Sequence, residues 1–301
     1  MSQGRPSCYH GRPVDQPDVS IARLGREGGD PAGLESLRAA FLGRNPGYGL
    51  DHRDRLDGLA ARSSPCAAFV HAGAGRGAVG EARSELGVGD LVLLRPGQEL
   101  AAEGPLGGVV FTLPDELPAG LPSFVRPDWD PRITDTPGGC AEEAGAYRRI
   151  LLTWLGSVGP YVYRGLNAHR VRMTDSFSHY HPGEGGFDEF YLVQGLAPGA
   201  RLVTSTAVER IEAPASVAPD EVGELVRVHE LEVGDLVHVP RGVVHRGVGG
   251  VLAQVITVPG FKPGCEIGVD HHLFAINERL GLSGTGALPY HAAAARKAVV
   301  K

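Results

Sequence analysis

Residues 178–181 read Ser-His-Tyr-His, and residues 234–245 read Gly-Asp-Leu-Val-His-Val-Pro-Arg-Gly-Val-Val-His. On a β-strand, side chains two residues apart point to the same face, so His179 and His181 would lie side by side. His245 follows a tight Pro-x-Gly turn and could reach the same space, and so could Asp188 or Glu189 on the next strand. Neutral imidazoles with one carboxylate suit a first-row divalent ion such as Fe, Mn, Ni, Co or Zn. The two stretches therefore predict a metal centre.

The composition is that of an ordinary globular protein that can bury a large core. The chain has 301 residues, of which 42% are hydrophobic and 21% charged. A net charge of −6 without a basic block argues against a nucleic-acid partner or an anionic membrane surface. The 44 glycines and 23 prolines favour many short strands joined by turns.

The cysteines and the chain start predict a soluble, cytoplasmic protein. No apolar run approaches the ~20 residues needed to cross a bilayer, and residues 1–6 do not resemble a secretory leader. The cysteines are widely spaced and form no C-x-x-C pair, so we expect free thiols. They are Cys8, Cys66, Cys140 and Cys265.

Element signals alternate between strands and a few helices. Residues 1–29 are predicted to form a loose arm. A first helix is predicted with Asp30 as N-cap, Pro31 in its first turn and Gly43 as its stop. Further predictions are strands over 65–113, a connector over 114–137, a helix over 141–155, strands over 161–259, and a helix over 270–280 that ends at Gly281.

An internal repeat predicts two related domains. Residues 86–97, LGVGDLVLLRPG, run parallel to residues 231–242, LEVGDLVHVPRG. Both read as a Gly-Asp turn, a buried strand and a second turn, which implies a duplicated unit.

These stretches resemble the two motifs of the cupin superfamily, and the duplication makes the chain similar to a bicupin. The second motif, G-x5-P-x-G-x2-H-x3-N, matches at Gly234, Pro240, Gly242 and His245, with Gly249 where the family often has Asn. The first motif, G-x5-H-x-H-x3,4-E-x6-G, matches at His179 and His181, and its carboxylate is displaced by a longer loop over 182–187. The resemblance implies an all-β fold of two jelly-roll-type barrels with accessory helices.

Three carboxylates compete for the fourth ligand position. The family spacing, counted back from Gly195, selects Asp188. The run Asp188-Glu189-Phe190-Tyr191 instead resembles the family's D-E-aliphatic-Y string, in which Glu is the ligand. Glu184, on a glycine-rich turn, is the weakest candidate. Asp188 and Glu189 are adjacent and point to opposite faces, so only one can bind the metal; we favour Glu189.

When the spacing of the two motifs is applied to the N-terminal half, most of the ligand positions hold residues that cannot bind a metal. Those positions become Asp57, Leu59, Cys66 or Ala67, and Leu100. We therefore expect a structural, metal-free N-terminal barrel. The expected divisions are an arm and helix over 1–45, a degenerate barrel over 46–113, a connector and helix over 114–159, the metal barrel over 160–262, and a helix and tail over 263–301.

The remaining histidines have ordinary explanations. His238 is expected to point outward or to support the ligands, and His71 to be a strand residue. His271 and His272 are expected to be solvated at the start of the last helix, although a tail folded over the barrel mouth could bring one near the metal.

The resemblance implies a metal-dependent enzyme. The metal ligands would be His179, His181, Glu189 and His245, with iron favoured over Mn, Ni, Co or Zn. Glu189 and Tyr191 are the catalytic candidates, although a tyrosine such as Tyr191 is more often a core or rim aromatic than a proton donor. The leading hypothesis is a dioxygenase acting on a small oxygenated organic molecule. The alternatives are a non-oxidative isomerase or lyase of a sugar- or keto-acid-like substrate, and a non-catalytic binding protein. The partner is expected to be a small molecule, and the resemblance implies a homodimer.

Overall fold

Antiparallel β-sheets dominate the structure, a computed structural model that describes residues 18–143 and 145–301. The all-β class and the two jelly-roll-type barrels with accessory helices that the sequence predicts are confirmed. In the described part of the chain, no helix is long and apolar enough to cross a membrane.

The strands and helices have the following bounds. The strands are β1 (Ser20–Arg23), β2 (Gly49–Arg53), β3 (Leu59–Ala60), β4 (Cys66–Ala72), β5 (Ala74–Val79), β6 (Ala82–Gly87), β7 (Leu91–Leu94), β8 (Glu99–Glu103), β9 (Gly107–Thr112), β10 (Phe124–Val125), β11 (Arg148–Leu152), β12 (Asn167–Asp175), β13 (His179–Tyr180), β14 (Asp188–Leu196), β15 (Arg201–Ser205), β16 (Arg227–Glu230), β17 (Asp235–Val239), β18 (Val244–Val258) and β19 (Ile267–Gly268). The helices are α1 (Pro31–Arg44), α2 (Val208–Ile211) and α3 (Asp270–Leu280).

Two sheets form the N-terminal barrel. One has the order β10-β7-β4-β9-β2 and the other β3-β8-β5-β6. Their facing sides enclose a cluster of buried hydrocarbon that includes Leu59, Leu94 and Leu100. The interior of this barrel is therefore apolar.

One large sheet forms the C-terminal barrel. Its main path is β1-β17-β14-β18-β12-β11, and β13, β15, β16 and β19 join it through further pairings. The 15-residue strand β18 pairs with β12 and β14 along much of its length, and with β13 and β15 near its start. Strand β18 thus pairs with four other strands of this barrel. His245, its second residue, pairs with His179 of β13.

The two barrels share a core between their sheets. Phe111 of β9 meets Phe190 of β14 edge to face, with ring centroids 5.2 Å apart. Phe41 of α1 packs on the same Phe190 ring at 5.0 Å. Such edge-to-face pairs bury large apolar areas in a defined orientation, so helix α1 and both sheets are fixed to one another.

Helix α1 begins as its sequence predicts. The Asp30 side chain accepts a hydrogen bond from the Gly33 amide at 2.9 Å, and Pro31 occupies the first turn. The predicted stop at Gly43 is one residue early, because the helix continues to Arg44. Asn45 ends it: its backbone and side-chain N–H groups both donate to the Phe41 carbonyl, at 3.0 and 3.1 Å.

The predicted loose arm is wrong where the structure describes it. Residues 1–17 lie outside the described part, but Ser20–Arg23 form β1, which pairs with β17 in the register Ile21↔Val237. Ala22 is fully buried, and Arg23 forms an ion pair with Asp235. Pairing with a strand some two hundred residues later orders this segment, and local composition gives no sign of it.

The predicted helix over 141–155 is also wrong. Turns containing Gly139 and Gly145, both with positive φ, precede strand β11, which pairs with β12. Ile150, Leu151 and Leu152 are all buried. A strand buried on both faces reads as a continuous apolar run, which periodicity cannot distinguish from a helix. By contrast, the helix predicted over 270–280 is present as α3, with Gly281 at φ +64° ending it.

The internal repeat corresponds to the same local structure in both barrels. The Asp90 side chain accepts from the Gly87 amide at 2.9 Å, and the Asp235 side chain accepts from the Glu232 amide at 2.7 Å. The preceding glycines have φ of +100° and +90°, a conformation that favours glycine. Strands β7 and β17 follow these two turns.

The cysteines that the structure describes are free. Cys66 and Cys140 are buried and Cys265 is half-buried, and none of the three forms a disulfide. The fourth predicted free thiol, Cys8, lies outside the described residues.

Candidate metal centre

Three imidazoles converge inside the C-terminal barrel. His179 and His245 face each other as a pair between β13 and β18, and His181 follows directly after β13. Their candidate ligand nitrogens lie within 4.8 Å of one another, and each side chain is 1% exposed. This is the group of residues that the two sequence stretches predict for the metal centre.

Main-chain carbonyls fix the orientation of all three rings. Nδ1 of His179 lies 3.1 Å from the Phe177 oxygen, Nδ1 of His181 lies 3.1 Å from the Phe187 oxygen, and Nδ1 of His245 lies 3.1 Å from the Val243 oxygen. A carbonyl oxygen only accepts, so each Nδ1 must carry the proton. The lone pair of each imidazole is therefore on Nε2, as a metal ligand requires.

Two aromatic rings support the histidines from the side. Phe177 stacks on His179 with ring centroids 4.3 Å apart and an interplanar angle of 17°. Phe187 lies against His181 at 3.9 Å. These rings restrict rotation of the imidazoles and keep water away from them.

Glu189 is the carboxylate that the structure places beside the histidines. Its Oε1 lies 3.4 Å from His245 Nε2, and its Oε2 lies 3.9 Å from His181 Nε2. Its neighbour Asp188 points to the opposite face, where it accepts from Asn45 Nδ2 at 2.8 Å and the Arg241 amide at 2.9 Å. Glu184 is exposed on its turn.

Four buried atoms of this group have no hydrogen-bond partner. They are Nε2 of His179, His181 and His245, and Oε1 of Glu189. A buried polar atom without a partner costs about 1–3 kcal/mol, so four of them converging on one point require a common partner. Three nitrogens and one carboxylate oxygen fit a divalent transition metal.

Burial and charge set the protonation of the histidines. Burial, together with the neighbouring His245 charge, holds the pKa of His179 and that of His181 well below the ordinary value. Burial alone would also lower the pKa of His245, but the Glu189 carboxylate beside it raises that pKa. His179 and His181 are therefore neutral at pH 7, the state in which imidazole binds a metal.

Glu266 is a fifth group that the sequence does not reveal. Its Oε1 lies 3.8 Å from His179 Nε2, because Gly268 of β19 pairs with His179. Burial, with the Glu189 charge, raises the pKa of Glu266 to about 7. It belongs to neither sequence stretch, and only the pairing of β19 with β13 brings it to the site.

Tyr191 is fully buried two residues beyond Glu189. Its ring centroid lies 6.2 Å from that of His245. Burial, and then the charge of Glu189, raises the pKa of the Tyr191 phenol well above 10. The phenol therefore keeps its proton and can act only as a neutral hydrogen-bonding group.

The other histidines serve different contacts. His238 Nε2 lies 3.1 Å from Asp188 Oδ2, on the opposite face of the sheet from the metal group. The rings of His271 and His272 lie against each other, with centroids 3.9 Å apart and planes tilted by 37°, and neither residue belongs to the metal-ligand group found among the described residues. The segment that does fold back is 299–301, where the Gly268 amide donates to the Val299 carbonyl at 2.8 Å.

The N-terminal barrel carries hydrocarbon at the equivalent positions. Leu59 pairs with Leu100 across strands β3 and β8, as His179 pairs with His245 across β13 and β18. The Gly97 amide donates to the Ala61 carbonyl as the Gly242 amide donates to the His181 carbonyl. Cys66 pairs with Leu94 as Glu189 pairs with Val239. The equivalents are therefore Leu59, Ala61, Cys66 and Leu100.

Two positions of the sequence register need correction. The motif spacing predicts Asp57 and Leu59 as the equivalents of His179 and His181. In the structure the equivalents are Leu59 and Ala61. The register slips because the loop between the second histidine and the carboxylate is longer in the C-terminal barrel than its N-terminal counterpart. Cys66 and Leu100 stand where the register places them, and Ala67 does not.

No family model matches the chain, and no curated protein matches it. Among solved structures, an IolB-like protein from Salmonella typhimurium is 15% identical with a TM-score of 0.47, over 71% of this chain and 83% of that one. Bacillus subtilis oxalate decarboxylase, described with Mn(II) centres, is 13% identical with a TM-score of 0.43, over 85% and 78%. The coconut allergen cocosin is 14% identical with a TM-score of 0.43, over 71% and 78%. TM-scores below 0.5 at such identities establish no common activity.

Proposed function

We propose that this chain is a two-barrel member of the cupin superfamily with one divalent metal in its C-terminal barrel. In this proposal the metal ligands are His179, His181, Glu189 and His245. The observation that carries it is the convergence of their four buried, unpartnered atoms. The N-terminal barrel is a structural unit, because hydrocarbon occupies three of its four equivalent positions.

The reaction we favour is oxidation of a small oxygenated organic molecule by dioxygen, with iron as the metal. The four protein ligands would leave coordination positions of the metal free for substrate and oxygen. When bound, the metal would act as Lewis acid and redox template for substrate and oxygen. Mn, Ni, Co and Zn also suit the donor set.

The chain's own residues would orient the substrate and exclude water. Glu189 contributes one negative charge to the metal group, and the protonated Tyr191 phenol offers a hydrogen bond on the same strand face. Phe177 and Phe187 cover the imidazoles from the side. A site enclosed in this way keeps bulk solvent from the reacting atoms.

A second candidate is non-oxidative isomerase or lyase chemistry, which Glu266 favours. A carboxyl group with a pKa of about 7 can both give and take a proton at neutral pH. Its Oε1 lies 3.8 Å from His179 Nε2, which supports a role for it beside the proposed metal. The same site would then move a proton on a substrate that the metal polarises.

The metal assignment is tested by elemental analysis of purified protein. We expect about one transition metal per wild-type chain. We expect the double variant His179→Ala/His245→Ala to lose that metal. The loss of metal affinity should exceed the ~10–100-fold that follows from replacing a residue that only supports a ligand. The matched control is His71→Ala in the N-terminal barrel, which should keep the wild-type metal content. Undiminished metal in the double variant would refute the ligand assignment.

The reaction class is tested by loading the protein with Fe(II) without air and then measuring oxygen uptake with diols and keto-acids. Uptake with one substrate class supports the dioxygenase. Product formation without oxygen selects the isomerase or lyase, and metal binding without turnover selects a binding protein. The homodimer and the cytoplasmic location stay predictions; light scattering of the purified chain tests the former.

A further inference from the structure

A cavity of about 200 Å³ adjoins the metal group inside the C-terminal barrel. Strand β11 lines it with Arg148, Ile150 and Leu152, the alternate residues that share one face. Asn167 and His169 of β12 continue this wall. Glu189 of the metal group and Glu266 also line the cavity, so an occupant of the cavity would lie beside the Glu189 carboxylate.

Arg148 places a cation in this cavity without a carboxylate partner. One of its terminal N–H groups donates to the Thr136 carbonyl at 3.1 Å, and its Nε is buried without a hydrogen-bond partner. No carboxylate of the described residues forms an ion pair with Arg148, and Glu266, which lines the same cavity, acts on it only through its charge. The next residue on β11, Arg149, does have acidic partners, because it forms ion pairs with Asp128 and Asp135. A half-buried guanidinium with an unused donor is an anion-binding group.

Two further groups make the cavity receptive to an anion. His169 has a buried Nε2 without a partner, and burial and the Arg148 charge hold its pKa well below the ordinary value. It is therefore a neutral hydrogen-bonding group next to the cation. Lys301 also lines the cavity, ion-paired with Glu142. With a divalent ion bound, positive charge would exceed negative charge in this space.

We propose that the substrate is a small carboxylic acid whose carboxylate binds Arg148, with His169 beside it, while its other oxygen groups face the metal. This inference rests on the proposed function and narrows its substrate class. The cavity of about 200 Å³ has the volume of roughly seven water molecules, at the ~30 Å³ that each occupies in the liquid. Short 2-oxo or 2-hydroxy acids fit this limit.

The test compares pyruvate with pyruvamide, a neutral molecule of nearly the same shape, by calorimetry and thermal shift on metal-loaded protein. Wild type should bind pyruvate more tightly than pyruvamide. Arg148→Gln should weaken pyruvate binding by about 10- to 100-fold, the range expected for a lost charged hydrogen bond, and leave pyruvamide binding unchanged. Arg148→Lys should restore part of the preference, because it keeps the charge and loses the paired geometry.

Arg149→Gln is the matched control, because Arg149 is the next residue on β11 and points to the opposite face, where it pairs with Asp135 at 3.0 Å. It should keep the wild-type preference. Circular dichroism of each variant shows whether it folds, and Arg148→Lys keeps the test valid should Arg148→Gln fail to fold.

Two results would overturn the inference. One is a wild type that binds pyruvate no more tightly than pyruvamide; the other is a preference that persists in Arg148→Gln, which would assign it to the metal alone. Failure of the proposed function gives a different result, namely no bound metal in wild type. The same two ligands are then compared on the metal-free chain, where the Arg148→Gln effect must still appear.

Discussion

The two barrels share a turn, a strand and a pairing register but differ in what fills their interiors. Residues 86–97 and 231–242 adopt the same Asp-capped turn and lead into equivalent strands, β7 and β17. The N-terminal barrel closes on hydrocarbon. At the equivalent positions the C-terminal barrel instead buries four polar atoms that have no hydrogen-bond partner. The equivalent sets are Leu59, Ala61, Cys66, Leu100 and His179, His181, Glu189, His245.

This difference shows that the fold itself does not need the histidines. The N-terminal barrel demonstrates that hydrocarbon satisfies the same backbone. Buried imidazoles with free lone pairs cost stability that apolar side chains would not. Their presence in one barrel alone therefore points to a ligand that compensates for this cost.

An imidazole placed in the apolar barrel should have the largest effect on stability. Leu100 is fully buried and equivalent to His245. We expect Leu100→His to lower the free energy of unfolding by about 3 kcal/mol or more, because it removes buried hydrocarbon and leaves a ring nitrogen unpaired. Leu100→Met, which keeps the volume, should cost less than about 1.5 kcal/mol. Urea unfolding measures both, and equal costs would contradict the prediction.

A histidine pair in the N-terminal barrel should make the stability of the protein depend on pH. His71 Nε2 lies 2.8 Å from His52 Nε2, and burial, with the His52 charge, lowers the pKa of His71 to about 4. Below about pH 6.5 the unfolded chain binds a proton at this residue that the folded chain refuses. The free energy of unfolding therefore falls as the pH decreases from about 6.5 to about 4.

Replacing His71 should remove part of this acid sensitivity. We expect His71→Gln to lose about 2 kcal/mol less than wild type over that window. Urea unfolding at several pH values across it measures the difference. Parallel curves for the two proteins would show that His71 makes no such contribution.

The smallest expected effect is on the metal-free C-terminal barrel. His179→Leu copies the N-terminal residue Leu59 and removes an unpartnered Nε2, but it also frees the Phe177 carbonyl that Nδ1 contacts. These changes offset, so the metal-free stability should stay within about 1 kcal/mol of wild type. Metal content should nevertheless be lost. A larger loss of stability in the metal-free protein would show that the imidazole has a structural role.

Fold class and the histidine group could be predicted because their signals are local. Strand alternation and fixed spacing bring His179 and His181 to one face, and the Pro-x-Gly turn precedes His245. The caps of α1 and α3 depend on Asp30 and Gly281, which act within a single turn.

The largest errors involve contacts between distant segments. Strand β1 forms because it pairs with β17. Strand β11 has the apolar run of a helix in its sequence because both of its faces are buried. Glu266 and Arg148 reach the site only through the pairings of β19 and β11. No pattern within a short stretch records such pairings, so these residues could not be placed from the sequence.

The hydrogen bonds from Nδ1 of the three histidines end on peptide oxygens of residues 177, 187 and 243. A peptide oxygen is present whatever side chain its residue bears. Point substitutions at those three positions can alter packing without removing the acceptor. The path of the main chain therefore determines which ring nitrogen of each histidine carries the proton. Insertions or deletions in the flanking loops are the changes to which this centre is most vulnerable.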